Sequence, residues 1–148
     1  MSDAVLIDIF NDAWRWTGRR YAAITAINPF GHLILKDELG CYSYCDPELL
    51  VLTDVADGDE ALFAYMADPD VREVWESTRL IEQARAALGE LGPGRSYHWK
   101  IAPALGGAYE QDNIATVSIE ELVRFTGSLA RQIKDLPDGT TIELKVVE

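Results

Sequence analysis

An α+β (α/β) fold, an antiparallel or mixed sheet flanked by helices in the order α-β-β-β-β-α-α-β-α-β, is predicted by three observations. Apolar residues recur at helical spacing near the start of the chain and again over its second half. Between them, four short β-branched, aromatic or leucine-rich runs follow one another. The connectors between those runs are short and rich in turn formers, so the strands should form an antiparallel meander. With 148 residues, 48% of them apolar, the chain is expected to be one domain over residues 1–148, able to bury a core without staples.

Leu6, Ile9, Phe10, Ala13 and Thr17, behind Ser2 as a cap and ahead of Gly18 as a stop, predict the first helix. Trp14 and Trp16 are two apart on it and are expected on different faces, leaving one to report on solvent or on a partner. The strands follow as Tyr21 to Ile27, His32 to Lys36, Cys41 to Tyr44 and Leu49 to Thr53, parted by Asn28-Pro29-Phe30-Gly31, Asp37-Glu38-Leu39-Gly40 and Asp46-Pro47. Asp57 with Glu60 three residues on resembles a capping box for a short helix carrying Leu62, Phe63 and Met66. Asp68-Pro69 supplies a cap and a first-turn proline for a longer helix, with Val71, Val74, Trp75, Ile81, Ala84 and Leu88 on one side. After the loop Gly89 to Gly94 comes a strand, Tyr97 to Ile101. Ser118 and Glu121 cap a helix bearing Leu122, Phe125, Leu129 and Ile133 and ended by Pro137. Asp138-Gly139 then turns the chain into a last strand, Thr141 to Val147.

Charge is distributed unevenly. Asp37, Glu38, Asp46, Glu48, Asp54, Asp57, Asp59, Glu60, Asp68, Asp70, Glu73 and Glu76 face a single base, Arg72, and account for nearly all of the formal net charge of −12. Such a field repels nucleic acid and anionic membrane and speeds capture of a cationic surface. A basic protein partner is therefore expected, and neither nucleic acid nor membrane. Acids in first helical turns also stabilise the macrodipole by about 0.3–1 kcal/mol each, and acidic faces serve solubility alone. The candidate partner-binding residues are Asp54, Asp57, Asp59, Glu60, Asp68 and Asp70, with Tyr109 as an aromatic anchor on a loop.

Catalytic constellations are missing. His32 and His98, the two histidines, lie in neither HxxxH nor HExxH, and Cys41 and Cys45 form no CxxC pair. No metal and no cofactor is expected. No GxSxG elbow frames a serine. Gly106-Gly107 belongs to no phosphate-binding fingerprint and is expected to be a structural turn. Cys41 and Cys45, four apart along a strand, lie too far apart for a disulfide. With free thiols and no signal peptide or membrane span in view, a cytoplasmic location is expected.

Three motifs occur in order: Asn28-Pro29-Phe30-Gly31-His32-Leu33; Pro103-Ala104-Leu105-Gly106-Gly107-Ala108-Tyr109 with Asp112-Asn113-Ile114; and Gln132-Ile133-Lys134-Asp135-Leu136-Pro137-Asp138-Gly139-Thr140. Together, over roughly Ile27 to Thr140, a span of domain size, they resemble the C-terminal domain family of the type VI secretion DNase-immunity proteins, a group related to the SUKH immunity superfamily. The resemblance implies a bacterial, cytoplasmic, non-catalytic binding module, an antidote to a co-encoded toxin or effector. It does not identify the toxin, because such folds are paired with unrelated effectors. Charge and resemblance converge, since nucleases carry basic clefts that an acidic surface can occupy. The alternative is a regulatory or structural interaction domain with a non-toxin cellular partner; a second copy of the chain is also left open as a partner.

Overall fold

The computed structural model describes residues 3–136. Its centre is the expected meander: β1 (Tyr21–Ile27), β2 (Leu33–Asp37), β3 (Tyr42–Asp46) and β4 (Val51–Ala56), all antiparallel and hydrogen-bonded in that order. Side chains alternate across a strand, and β2 and β3 use both faces. Leu33, Leu35 and Cys45 enter one core with Leu6, Phe10 and Trp14 of the N-terminal region and Leu122, Val123 and Leu129 near the C-terminal end of the described chain. Ile34, Tyr42 and Tyr44 enter another, against Leu62, Tyr65, Met66 and Trp75. The sheet is thereby layered between α1 (Asp3–Ala13) with α5 (Ile119–Ile133) and α2 (Asp59–Ala67) with α3 (Pro69–Glu76). A third cluster, Phe30, Ala84, Tyr97, Trp99 and Ile114, joins α4 (Thr78–Leu88) to a two-stranded ribbon, β5 (Arg95–Trp99) with β6 (Ile114–Ser118).

Two caps form as expected. The Asp68 side chain accepts from the N–H groups of Asp70 and Val71, with Pro69 in the first turn of α3, and Ser118 accepts from Glu121 N at 3.1 Å. Asp57 does not cap α2; Gly58 holds that position, and no side chain caps it. The helix expected beyond Asp68 is two helices, because Ser77 takes a left-handed conformation (φ 41°) between α3 and α4. The carbonyls released there find partners, since the Ser77 hydroxyl donates to Val74 O and Asn28 Nδ2 donates to Trp75 O at 3.1 Å. β6 is a strand absent from the sequence reading. Its last residue, Ser118, is also the cap of α5, which hid the strand behind the helix signal.

The first helix stops at Ala13 and continues as a 3₁₀ turn, Arg15–Thr17, before Gly18 in the left-handed region. Trp14 and Trp16 therefore do not diverge to opposite faces. They stack at 5.7 Å, Trp14 being 2% exposed, while Trp16 is half-buried and donates to Gly127 O at 3.1 Å. Pro137 and the last predicted strand lie outside the described residues. Among those described, no helix is long and apolar enough to cross a membrane.

Candidate functional site

The β2–β3 register creates a buried polar cluster. Leu33 pairs with Cys45 and Ile34 with Tyr44, so His32, one step before Leu33, lies opposite Asp46. His32, Tyr44 and Asp46 share the sheet face turned toward α3. The chain after β3 then makes a tight turn in which Asp46 Oδ1 accepts from Glu48 N (2.8 Å) and Leu49 N (3.1 Å), and Leu50 adopts φ 59°. That turn folds Glu48 inward. Its Oε1 accepts from Trp99 Nε1 at 2.6 Å, and its Oε2 lies 3.1 Å from His32 Nε2, while Tyr44 OH is 2.6 Å from His32 Nδ1. Asp46 Oδ1 is 4.0 Å from the same Nε2.

Electrostatics fix the roles. Burial, reinforced by the charge of Asp46, raises the pKa of Tyr44 and keeps the phenol neutral. Tyr44 can then donate to Nδ1, leaving the His32 Nε2–H to donate to Glu48. Burial alone would raise Glu48, but the hydrogen bond and Coulombic attraction from His32 and the bond from Trp99 outweigh it and hold the carboxyl below its ordinary range. His98 is 7% exposed and neither ring nitrogen has a hydrogen-bond partner among the described residues. Burial is the main reason its pKa falls to about 4; Glu48 opposes the shift and His32 adds to it.

Asp46 and Glu48 floor a cleft of about 900 Å³, walled by Pro69, Glu73, Val74 and Glu76 of α3, the Ser77 break, Arg79 and Tyr109. Asn113 builds the Tyr109 wall: its Oδ1 accepts from Ile101 N, and its Nδ2 donates to Ile101 O and Ala108 O. Gly106 has φ 92°, and a Cβ on Gly107 would stand 1.8 Å from Ile101 O. The double glycine is a structural turn. Tyr109 packs edge-on against Trp99 at 5.0 Å and leaves 52% of its surface exposed.

The six candidate acids are all exposed. Asp54 is held by Arg19, whose guanidinium hydrogen bonds depress its pKa. Asp59 accepts from Tyr42 OH and lies 3.6 Å from Lys36 Nζ. Asp68 is occupied as a cap. Asp70 lines a smaller apolar pocket with Val51, Thr53 and Val74, next to the cleft that Tyr109 closes; both pockets include Asp46 and Val74. Asp57, Glu60 and Asp70 have no side-chain hydrogen bond or ion pair among the described residues. The surface pictured from charge alone loses two members, since Asp46 and Glu48 are interior. His32, Glu48 and His98 were not read as a group, although hairpin register from Leu33 and Cys45 would have paired His32 with Asp46.

The described architecture recurs in a solved structure, that of Atu4351 from Agrobacterium tumefaciens, with a TM-score of 0.60 over 86% of this chain at 17% identity. This chain spans 65% of that one, and the likeness is one of fold. The family described as T6SS immunity protein Tdi1, C-terminal, matches residues 56–130, and the chain belongs to that family. The match runs from the end of β4 into α5, containing the Pro103 to Ile114 motif and all the candidate residues except Asp54. Asn28 to Leu33 precedes it. No curated protein matches the chain.

Proposed function

We propose that this protein is a cytoplasmic immunity protein that neutralises a cognate bacterial toxin by direct, non-catalytic binding through its acidic surface. Membership of the immunity family over residues 56–130 carries the reading. The surface chemistry supports it. Leu49, Val51, Val74 and Tyr109 are large, exposed and line the cleft and its neighbouring pocket. Phe63, 80% exposed, stands one helical turn from Glu60. Apolar and aromatic anchors bordered by charge are the anatomy of a protein interface. The unpaired Asp57, Glu60 and Asp70 would attract a basic toxin surface, while Asp54, Asp59 and Asp68 bring less free charge because each already has an intramolecular partner. The test uses the toxin encoded beside this gene. Co-expression should restore growth, and the two purified proteins should form a stable complex on size exclusion. A neighbouring toxin that remains lethal and forms no complex would refute the proposal.

A further inference from the structure

His32, His98, Cys41 and Cys45 offer no metal motif in sequence, but the fold assembles a different donor set. One donor atom each from His32, Asp46 and Glu48 lies within 4.8 Å of the others, and the set is buried or nearly so. We propose that these three side chains bind one divalent first-row cation, zinc foremost, which enters from the cleft.

Geometry comes first. Zinc bonds of about 2.0–2.1 Å to nitrogen and oxygen place neighbouring donors of a tetrahedron about 3.3 Å apart. His32 Nε2 is 3.1 Å from Glu48 Oε2 and 4.0 Å from Asp46 Oδ1, so small side-chain shifts complete the site. Two ligands are oriented through their second polar atom, His32 at Nδ1 by Tyr44 and Glu48 at Oε1 by Trp99, while Asp46 Oδ1 itself accepts from two backbone N–H groups. Outer hydrogen bonds of this kind are what hold metal ligands in place.

Charge gives an independent reason. Two carboxylates, 9% and 7% exposed, share one imidazole, and a fully charged imidazole balances only one of them. Arg72 and Arg79 line the cleft, yet no Lys or Arg among the described residues makes an ion pair with either acid. Buried charge without a counter-charge is costly, and a divalent ion supplies it. His98 adds a second, separate observation. It is nine-tenths buried, has two unused ring nitrogens and interacts electrostatically with both Glu48 and His32. It lies outside the 4.8 Å set. On coordination through Nε2 the imidazole proton resides on Nδ1, which then donates to the Tyr44 oxygen, and water or a partner side chain fills the open positions facing the cleft.

The site stands apart from the toxin reading and is tested without a toxin. Full-length protein is stripped with EDTA and titrated with zinc against a chromophoric chelator, alongside Glu48→Gln and Asp46→Asn, which keep their shapes and one carbonyl acceptor each while removing the charge. The expected result is one zinc per chain in the wild type, at least tenfold weaker binding in each folded variant, and a shift of the Trp99 indole N–H resonance on saturation. X-ray absorption of the zinc-loaded wild type should show nitrogen and oxygen donors only. Absence of stoichiometric binding, equal affinity in the wild type and a folded variant, or sulfur in the first shell would each overturn the assignment.

Discussion

Replacing His98 by leucine should remove a specific acid sensitivity. The folded imidazole titrates at about 4, against about 6.5 in an unfolded chain. Because the folded value is depressed, the contribution of neutral His98 is fully present above pH 6.5 and is lost as pH falls from 6.5 toward 4, where the unfolded chain binds a proton that the folded chain refuses. The full difference is worth about 3.4 kcal/mol, of which about 2 kcal/mol is lost by pH 5. Leucine is close in volume and leaves no orphaned nitrogens, so at pH 7 the variant should lie within about 1.5 kcal/mol of the wild type. Glu48 and His32 are present in both proteins, and their effects largely cancel in the comparison. Urea unfolding in EDTA buffer, followed by tryptophan fluorescence at pH 7 and pH 5, measures it. His98→Leu should lose about 2 kcal/mol less than the wild type between the two pH values. Parallel losses would show that burial of His98 does not govern its ionisation.

Other expectations concern caps, glycines, indoles and thiols. Asp68→Ala should cost about 0.5–2 kcal/mol and Asp68→Asn much less, whereas Asp57→Ala should cost under about 0.5 kcal/mol because Asp57 caps nothing; chemical denaturation separates the three. Gly107→Ala drives a Cβ into the Ile101 carbonyl and should destabilise by more than about 2 kcal/mol, an effect an unchanged unfolding midpoint would disprove. Trp16→Phe removes the bond to Gly127 O and should cost about 0.5–1.5 kcal/mol beyond the smaller ring's packing loss. Burial raises the pKa of the fully enclosed Cys45 thiol, so a disulfide reagent should label Cys41 alone in native protein and both cysteines in denaturant.

Much of the architecture was legible because its signals are local. Tyr21 to Ile27 carries its own strand pattern, and Asp68-Pro69 and Ser118 announce helix starts through side-chain chemistry. What escaped depends on partners distant in sequence or on unusual backbone. Nothing local requires Ser77 to turn left-handed and split a helix; Asn28, 47 residues upstream of Trp75, donates to the Trp75 carbonyl and supplies one of the hydrogen bonds that accommodates the break. The two-face rule for Trp14 and Trp16 assumed an unbroken α-helix, and it ceased to apply after Ala13. The candidate site divided in the same way. Asp57, Glu60 and Asp70 are surface charges, as composition suggests, but Asp46 and Glu48 have the same composition and point inward because a turn and a strand register send them there.

Binding of a basic toxin through the acidic surface is tested most directly by association kinetics. Wild-type protein and an Asp57→Asn, Glu60→Gln, Asp70→Asn triple variant would be mixed with the neighbouring-gene toxin in stopped flow at low and at physiological salt. Encounter between opposite charges predicts a wild-type association rate that drops steeply with salt, a slower and nearly salt-independent rate for the variant, and little change in dissociation. Equal rates with equal salt dependence in two equally folded proteins would contradict the account and leave these acids as solvated surface.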